Sequence, residues 1–357
     1  MKKSLFVLLA LTALFCISCQ NDVEVGNGET EITKLLEKTS VKLFEGVDIS
    51  EIGISAEEKQ KLLEKKLSEK IGRNIDNTDL LLTNEEMVNI IERKISNITI
   101  PELITPTEDD IVLIQKDFEG LSKQEIIRNI DTIAQIYQDQ VSALTIDGIL
   151  EDDMTLKIAT NIDRARDMSI DTEKVTYNDN ELSWNEIGVI LKYPFCALTL
   201  TEQTKLATTY TNKYMPSNIA LNNKADAFRH AIWNVAMAKE SWGKKKTKLS
   251  WAKEFSEAHE KSWRYREYES EMDLHNNKVG QDFYNDNSTQ KTKKIIGITF
   301  YTGVTEPSYE EACIFLREKA LNSYFINKEI ELEDFKNTLT EISVTDLVYI
   351  VNDVNTY

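Results

Sequence analysis

Glycine and proline are scarce in this 357-residue chain, at 12 and 5 residues. Turn-rich β-sandwiches, propellers and collagen-like chains need far more of both. Four cysteines are too few for a disulfide scaffold at this length. Positive charge is in deficit. With 42 Lys/Arg against 60 Asp/Glu the net charge is −18, which argues against a general nucleic-acid binder, and no nucleic-acid partner is expected. Past the first residues, no apolar stretch is long enough to span a bilayer. Histidine is rarest of all, with three in the whole chain, so their placement carries information. What is present, 41% hydrophobic and 29% charged residues, is enough to fold around a core.

Lys2 and Lys3 precede a short apolar run, Leu5 to Phe15, and then Cys16-Ile17-Ser18-Cys19. A basic start and a short apolar core predict a secretory signal over residues 1–18. The ending, a small residue and then Cys, resembles a bacterial lipobox. That resemblance implies lipidation of Cys19 and a location in the bacterial cell envelope, lipid-anchored at the outer membrane or cell surface. A plain signal with a coincidental Cys is the alternative. Polar residues 19–31 read as a flexible tether. With Cys19 lipidated, Cys196 and Cys313 remain as a disulfide pair or two buried thiols.

Capping-box patterns recur at Ser55–Glu58, Thr83–Glu86, Ser122–Glu125, Ser183–Glu186 and Ser308–Glu311, each ahead of helical apolar spacing. They predict a mainly α fold. A short strand is conceivable only over Ile295–Tyr301, where Gly297 weakens it. Charge divides the chain. From Lys205 to Lys294, 17 Lys/Arg outnumber 11 Asp/Glu, so the remainder is strongly acidic. The same segment holds all three His and four of the five Trp. The expected organisation is an acidic helical region over 32–178, a helical module over 179–325 and a C-terminal helical segment over 326–357. A basic segment in an acidic chain suits an anionic small molecule or lipid headgroup, although ordinary variation in charge gives the same count.

Three stretches of that module carry the chemistry. The Ala-rich run from Asn222 to Lys239 predicts a helix apolar on nearly every side, yet it contains Asp226, Arg229, His230 and Asn234. Asp226 and His230, four apart, share a face. Buried charges of this kind are costly unless paired or ligated. In the second stretch, Phe255, His259 and Trp263 recur at helical spacing, with Glu260 beside the imidazole. In the third, Asp273 and His275 precede Asn276-Asn277, and that pair with Gly280 reads as a loop or helix end open to a ligand.

Three imidazoles with nearby carboxylates suit a borderline divalent metal such as zinc, with an open position for water. The expected ligands are His230, His259 and His275, with Asp226 or Asp273 as the fourth. Glu260 is the expected base, Arg229 the clamp for an anionic oxygen, and Asp226 a catalytic partner. The spacing is not His-Glu-x-x-His, because Trp263 replaces the second His, and no Cys-x-x-Cys accompanies it. Two other arrangements use the same residues. In one, Asp226 orients His230 for metal-free catalysis. In the other, the polar residues form a satisfied buried network.

The blocks Asp226-Ala-Phe-Arg-His-Ala-Ile-Trp-Asn234, Ala258-His-Glu260 and Met272-Asp-Leu-His-Asn-Asn-Lys-Val-Gly280 together resemble an uncharacterised bacterial domain family found in secreted proteins, lipoproteins and the C-terminal parts of toxin-like chains. The resemblance covers about Ser183 to Phe315. It implies a helical module whose polar residues belong together, and it supplies no activity. Trp263-Arg264-Tyr265-Arg266 departs from the small polar insert usual there, which implies a narrower or altered pocket. The functional expectation is an exported lipoprotein with a metal-dependent hydrolase site for an anionic or phosphoester substrate. The rival is a non-catalytic envelope module. Nucleic-acid cleavage fits the basic segment but not the acidic total, unless the acidic half restrains the site.

Overall fold

A computed structural model describes residues 27–74, 82–168, 181–216, 221–262, 266–295 and 298–350. The expected signal, Cys19 and the departure at Trp263-Arg264-Tyr265 lie outside them. Ser55, Thr83, Ser122, Ser183 and Ser308 each cap a helix with a reciprocal capping box, as predicted, and Thr107–Asp110 forms a sixth. Each box satisfies two backbone donors that a helix start leaves unpaired.

The chain is mainly α. Seven helices come first: α1 (Asn27–Leu36), α2 (Ala56–Ile71), α3 (Asn84–Ile95), α4 (Glu108–Asp117), α5 (Lys123–Arg128), α6 (Ile130–Ile149) and α7 (Asp152–Met168). Next come α8 (Trp184–Lys192), α9 (Pro194–Ala197), α10 (Leu200–Tyr214), α11 (Lys224–Glu240), α12 (Lys245–Lys261), α13 (Glu267–Asn287), α14 (Tyr309–Leu321) and α15 (Leu332–Glu341). Strands among the described residues occur only as two-stranded ladders. The longest is an antiparallel hairpin, Thr289–Ile295 with Ile298–Thr305. The single strand expected over Ile295–Tyr301 is thus the end of one strand and the start of the next. The first strand carries no sequence signal, because Thr-Gln-Lys-Thr-Lys-Lys-Ile has no apolar alternation. Helix α1 starts at Asn27, inside the stretch expected as tether. No helix among the described residues is long and apolar enough to cross a membrane.

One apolar cluster runs from Ile32 to Leu347 and draws on both sides of the change in composition near residue 178. Two helices form its axis. In α6, Ile133, Ile136, Tyr137 and Val141 are sealed; in α11, nearly every residue from Ala225 to Ala238 is buried. The buried Lys59–Asp139 pair ties α2 to α6 at 2.7 Å, and Lys59 Nζ also donates to the Leu191 carbonyl of α8 at 3.2 Å. Each end of that pair has its partner inside, so neither charge is stranded.

Helix α11 is flanked by α10, α12, α13 and α14. Its approach to α13 is so close that a Cβ on Gly280 would overlap the Ala231 carbonyl. The Asn276-Asn277-x-x-Gly280 sequence, expected as a turn, is therefore the interior of α13. Its two Asn side chains make tertiary bonds instead of closing a turn: Asn276 takes the Val348 N–H at 2.9 Å and donates to the Val348 carbonyl at 3.0 Å. A small second core, built on Met272, Ile326, Phe335 and Leu339, seats the C-terminal segment against α13.

Candidate functional site

The site starts at the N-terminus of α11. Asn222 stands in the left-handed region at φ 66, which Asn tolerates. Its amide donates to Asp226 Oδ2 at 2.7 Å, and the Asn223 side chain caps the helix through Ala225 and Asp226. A carboxylate in a first helical turn also meets the positive end of the helix dipole. Burial pushes the Asp226 pKa up, but Arg229, His230 and the Asn222 amide outweigh it and hold the carboxyl below its ordinary range.

One turn on, His230 is buried, and it faces three carboxylates. Its Nε2 lies 3.8 Å from Asp226 Oδ1 and 3.4 Å from Asp273 Oδ1 of α13; its Nδ1 lies 3.7 Å from Glu260 Oε1 of α12. Burial and then Arg229 push His230 down to about 3, so the imidazole is neutral at pH 7. Arg229 Nη2 approaches His230 Nε2 at 2.9 Å, which makes Nε2 the acceptor and leaves the proton on Nδ1. Burial raises Glu260 to about 7, and burial with the charges of Glu260 and Asp226 holds Asp273 well above the carboxylate range.

Asp226, His230 and Asp273 each present a ligand atom within 4.8 Å of the others, a group able to hold a metal ion. Two observations fit a divalent cation. Asp273 Oδ1 is buried and makes no hydrogen bond. The 3.4 Å from it to His230 Nε2 is close to the roughly 3.3 Å between two ligands bonded at about 2.0–2.1 Å to a tetrahedral ion. The donor set of two carboxylates and a neutral imidazole suits zinc or a related ion. Glu260 lies on the Nδ1 side, where a carboxylate commonly orients a metal-bound imidazole, but at 3.7 Å it makes no hydrogen bond there.

The other two histidines do not join this group. Glu186 Oε1 holds His259 Nδ1 at 2.9 Å. Burial opposes its charge, but Glu186 prevails and raises the imidazole to about 9. His259 lines the cavity as a cation, and a protonated ring is no metal ligand. Trp233 packs edge-on against both rings, with centroids 6.5 Å from His230 and 5.3 Å from His259. His275 points elsewhere, its Nε2 2.8 Å from the Asp346 carbonyl. Two residues beyond Asp273 on one helix, it faces about 200° away. The expected convergence of three imidazoles is thus replaced by one imidazole and two carboxylates.

Glu260 was expected as the base. Its Oε1 sits on the Nδ1 side of the ring, 3.7 Å away and not bonded to it, and accepts from Asn277 Nδ2 at 3.4 Å, so it stands away from the Nε2 side where Asp226 and Asp273 gather. Behind it, Asn277 takes Asn234 Nδ2 at 2.7 Å, and Gln281 donates to Asn234 and Ser256. Arg229 stands at the mouth, where Arg266, Glu269 and Ser270 also line a cavity of about 40 Å³. That volume admits an ion and one or two waters. Sequence reasoning missed Glu186. Its capping box was read, but one carboxylate serves two tasks, accepting from the Ser183 amide through Oε2 and from His259 through Oε1. No curated protein matches the chain. A family model described as a domain of unknown function, DUF6973, matches residues 187–305, the stretch that contains Asp226, Arg229, His230, His259, Glu260 and Asp273.

Proposed function

We propose that the module holds one divalent cation through Asp226, His230 and Asp273 and hydrolyses an anionic substrate, a phosphoester above all. The observation behind this is the unpartnered Asp273 Oδ1, 3.4 Å from Nε2 of a buried, neutral His230. When bound, such a cation supplies a polarised substrate oxygen and a water of lowered pKa. Arg229, donating to Nε2, sets the His230 tautomer, and Glu260 lies 3.7 Å from Nδ1 without a hydrogen bond to it. Arg229, 27% exposed in its side chain, turns towards an entering anionic oxygen, and the His259 imidazolium adds a second positive charge at the cavity. The N-terminal sequence supports delivery of this activity to the bacterial envelope on a lipid anchor at Cys19, within reach of headgroup esters.

One observation favours a second reading. Arg229 spans Asp226 Oδ1 and His230 Nε2 and satisfies them without any cation, so the cluster also works as a brace for α11. Elemental analysis of the purified chain, with hydrolysis of bis(p-nitrophenyl) phosphate, separates the two. The hydrolase reading expects about one metal per chain, lost together with activity in His230→Ala and Asp273→Asn. Metal-free protein whose melting ignores chelators, and which turns over no ester, leaves the brace.

A further inference from the structure

A second concavity lies between α12 and α13 and runs over to α6, on the far side of Asn277 from the His230 cavity. It encloses about 1330 Å³, more than the several hundred Å³ of a small-molecule pocket, which suits a length of chain. In a protein of net charge −18, this groove gathers six lysines against three carboxylates. Lys244 is paired with Asp131, and Lys245 Nζ bonds the Asn285 and Ser288 carbonyls at 2.6 and 2.9 Å. Lys246 is exposed and has no side-chain partner among the described residues. Lys253 and Lys261, 63% and 67% exposed, share Glu257 at 3.9 Å each.

The N-terminus of α12 sharpens this imbalance. Lys244 is its N-cap and makes no side-chain capping bond; Gln290 Oε1 takes the Lys245 amide at 2.8 Å, and the first turn carries lysines and no acid. Positive side chains there oppose the positive end of the dipole, a cost that an anion relieves. An independent feature identifies a different need. Gln138 lines the groove, is 6% exposed, and its buried Oε1 has no hydrogen-bond partner. A buried amide oxygen without a donor is costly, and an N–H supplied by a ligand satisfies it. Trp242, Leu249 and Leu274 add apolar wall.

We propose that this groove docks an acidic polypeptide segment: carboxylates on Lys246, Lys253 and Lys261, a backbone N–H towards Gln138, and apolar side chains against Leu249 and Trp242. Polyphosphate offers neither N–H groups nor apolar side chains. A long nucleic acid would continue over the acidic remainder of the chain.

Fluorescence anisotropy of the full chain with a labelled, alternating Glu-Leu octapeptide tests this. Saturable binding is expected, weakened about tenfold or more by Lys246→Glu with Lys253→Glu, weakened further by raised salt, and unchanged by a metal chelator. Gln138→Leu should weaken it as well. If that variant melts early, the exposed charge reversals carry the test alone. No saturable binding, equal binding of a Lys-Leu octapeptide, indifference to charge reversal, or preference for polyphosphate or oligothymidylate overturns the proposal. Chelator-independence keeps the outcome separate from the fate of the metal site.

Discussion

Arg229 Nη2 stands 2.9 Å from His230 Nε2 and 2.8 Å from Asp226 Oδ1, so a single guanidinium nitrogen engages two of the three atoms assigned to a cation. Arginine and metal therefore compete for the same lone pairs, and binding must displace the arginine towards solvent.

Arg229→Gln should consequently tighten metal binding while impairing turnover of an anionic ester. Releasing one charge-assisted contact is worth about 1.5–3 kcal/mol, or roughly tenfold to a hundredfold in metal affinity. Titration calorimetry with zinc gives the first quantity and steady-state hydrolysis the second. A fall in metal affinity would place Arg229 in support of the ligands instead of in competition with them.

Asp273 is a stability cost to the fold. Burial and the neighbouring carboxylates raise its pKa, so the folded chain holds this proton where the unfolded chain has released it, and stability falls as pH rises from the unfolded value near 3.9. Asp273→Asn removes the penalty. The metal-free variant should melt at or above the parent at pH 8, the advantage shrinking towards pH 4, while metal uptake is lost. Thermal melts of both chains with chelator present, across that range, decide it.

The helical class was legible because capping boxes are local: Ser55, Thr83, Ser122, Ser183 and Ser308 act within four residues of themselves. Asp226 with His230 was legible for the same reason, as one turn of one helix. Asp273 joins them only through the α11–α13 packing, and spacing along the chain says nothing of that. His275 misled because scarcity singled it out, whereas its position on α13 turns it to Asp346. Asn276 and Asn277 have the composition of a turn, but inside α13 tertiary partners take up their side chains, the Val348 backbone for Asn276 and Asn234 and Glu260 for Asn277.

His259 gives the fold an alkaline limit. An imidazole whose folded pKa is raised contributes stability that is complete below about 6.5, the unfolded value, and is lost as pH rises through about 9. Glu260, raised to about 7, finishes its own loss near neutrality, but Asp273, raised well above its ordinary range, loses stability over the same alkaline interval, so the His259 contribution is read in an Asp273→Asn background. There the melting temperature should drop by a few degrees from about pH 7 to about pH 9. Glu186→Gln preserves the capping box, since Gln serves at that position, yet removes the charge that raises His259. In the Asp273→Asn background, adding Glu186→Gln should lower stability at pH 7 and leave the profile nearly flat from 7 to 9. An unchanged slope would assign the titration to another group.

Gly280 sets the spacing on which the ligand group depends. It lies seven residues after Asp273 on α13, two turns along the same face, and a Cβ there would come within 2.8 Å of the Ala231 carbonyl carbon and closer to its oxygen. Gly280→Ala must force α11 and α13 apart at the residue that follows His230. The cost should be about 3 kcal/mol or more, and the His230–Asp273 gap should open beyond what a cation can bridge. Gly72, which ends α2 at φ 76 with no atom near its would-be Cβ, is the control. Gly72→Ala costs about 1–2 kcal/mol through backbone strain alone. Both variants should therefore melt early, but only Gly280→Ala should lose metal at temperatures where it is still folded. Equal metal affinity in the two would show that the helix spacing does not define the site.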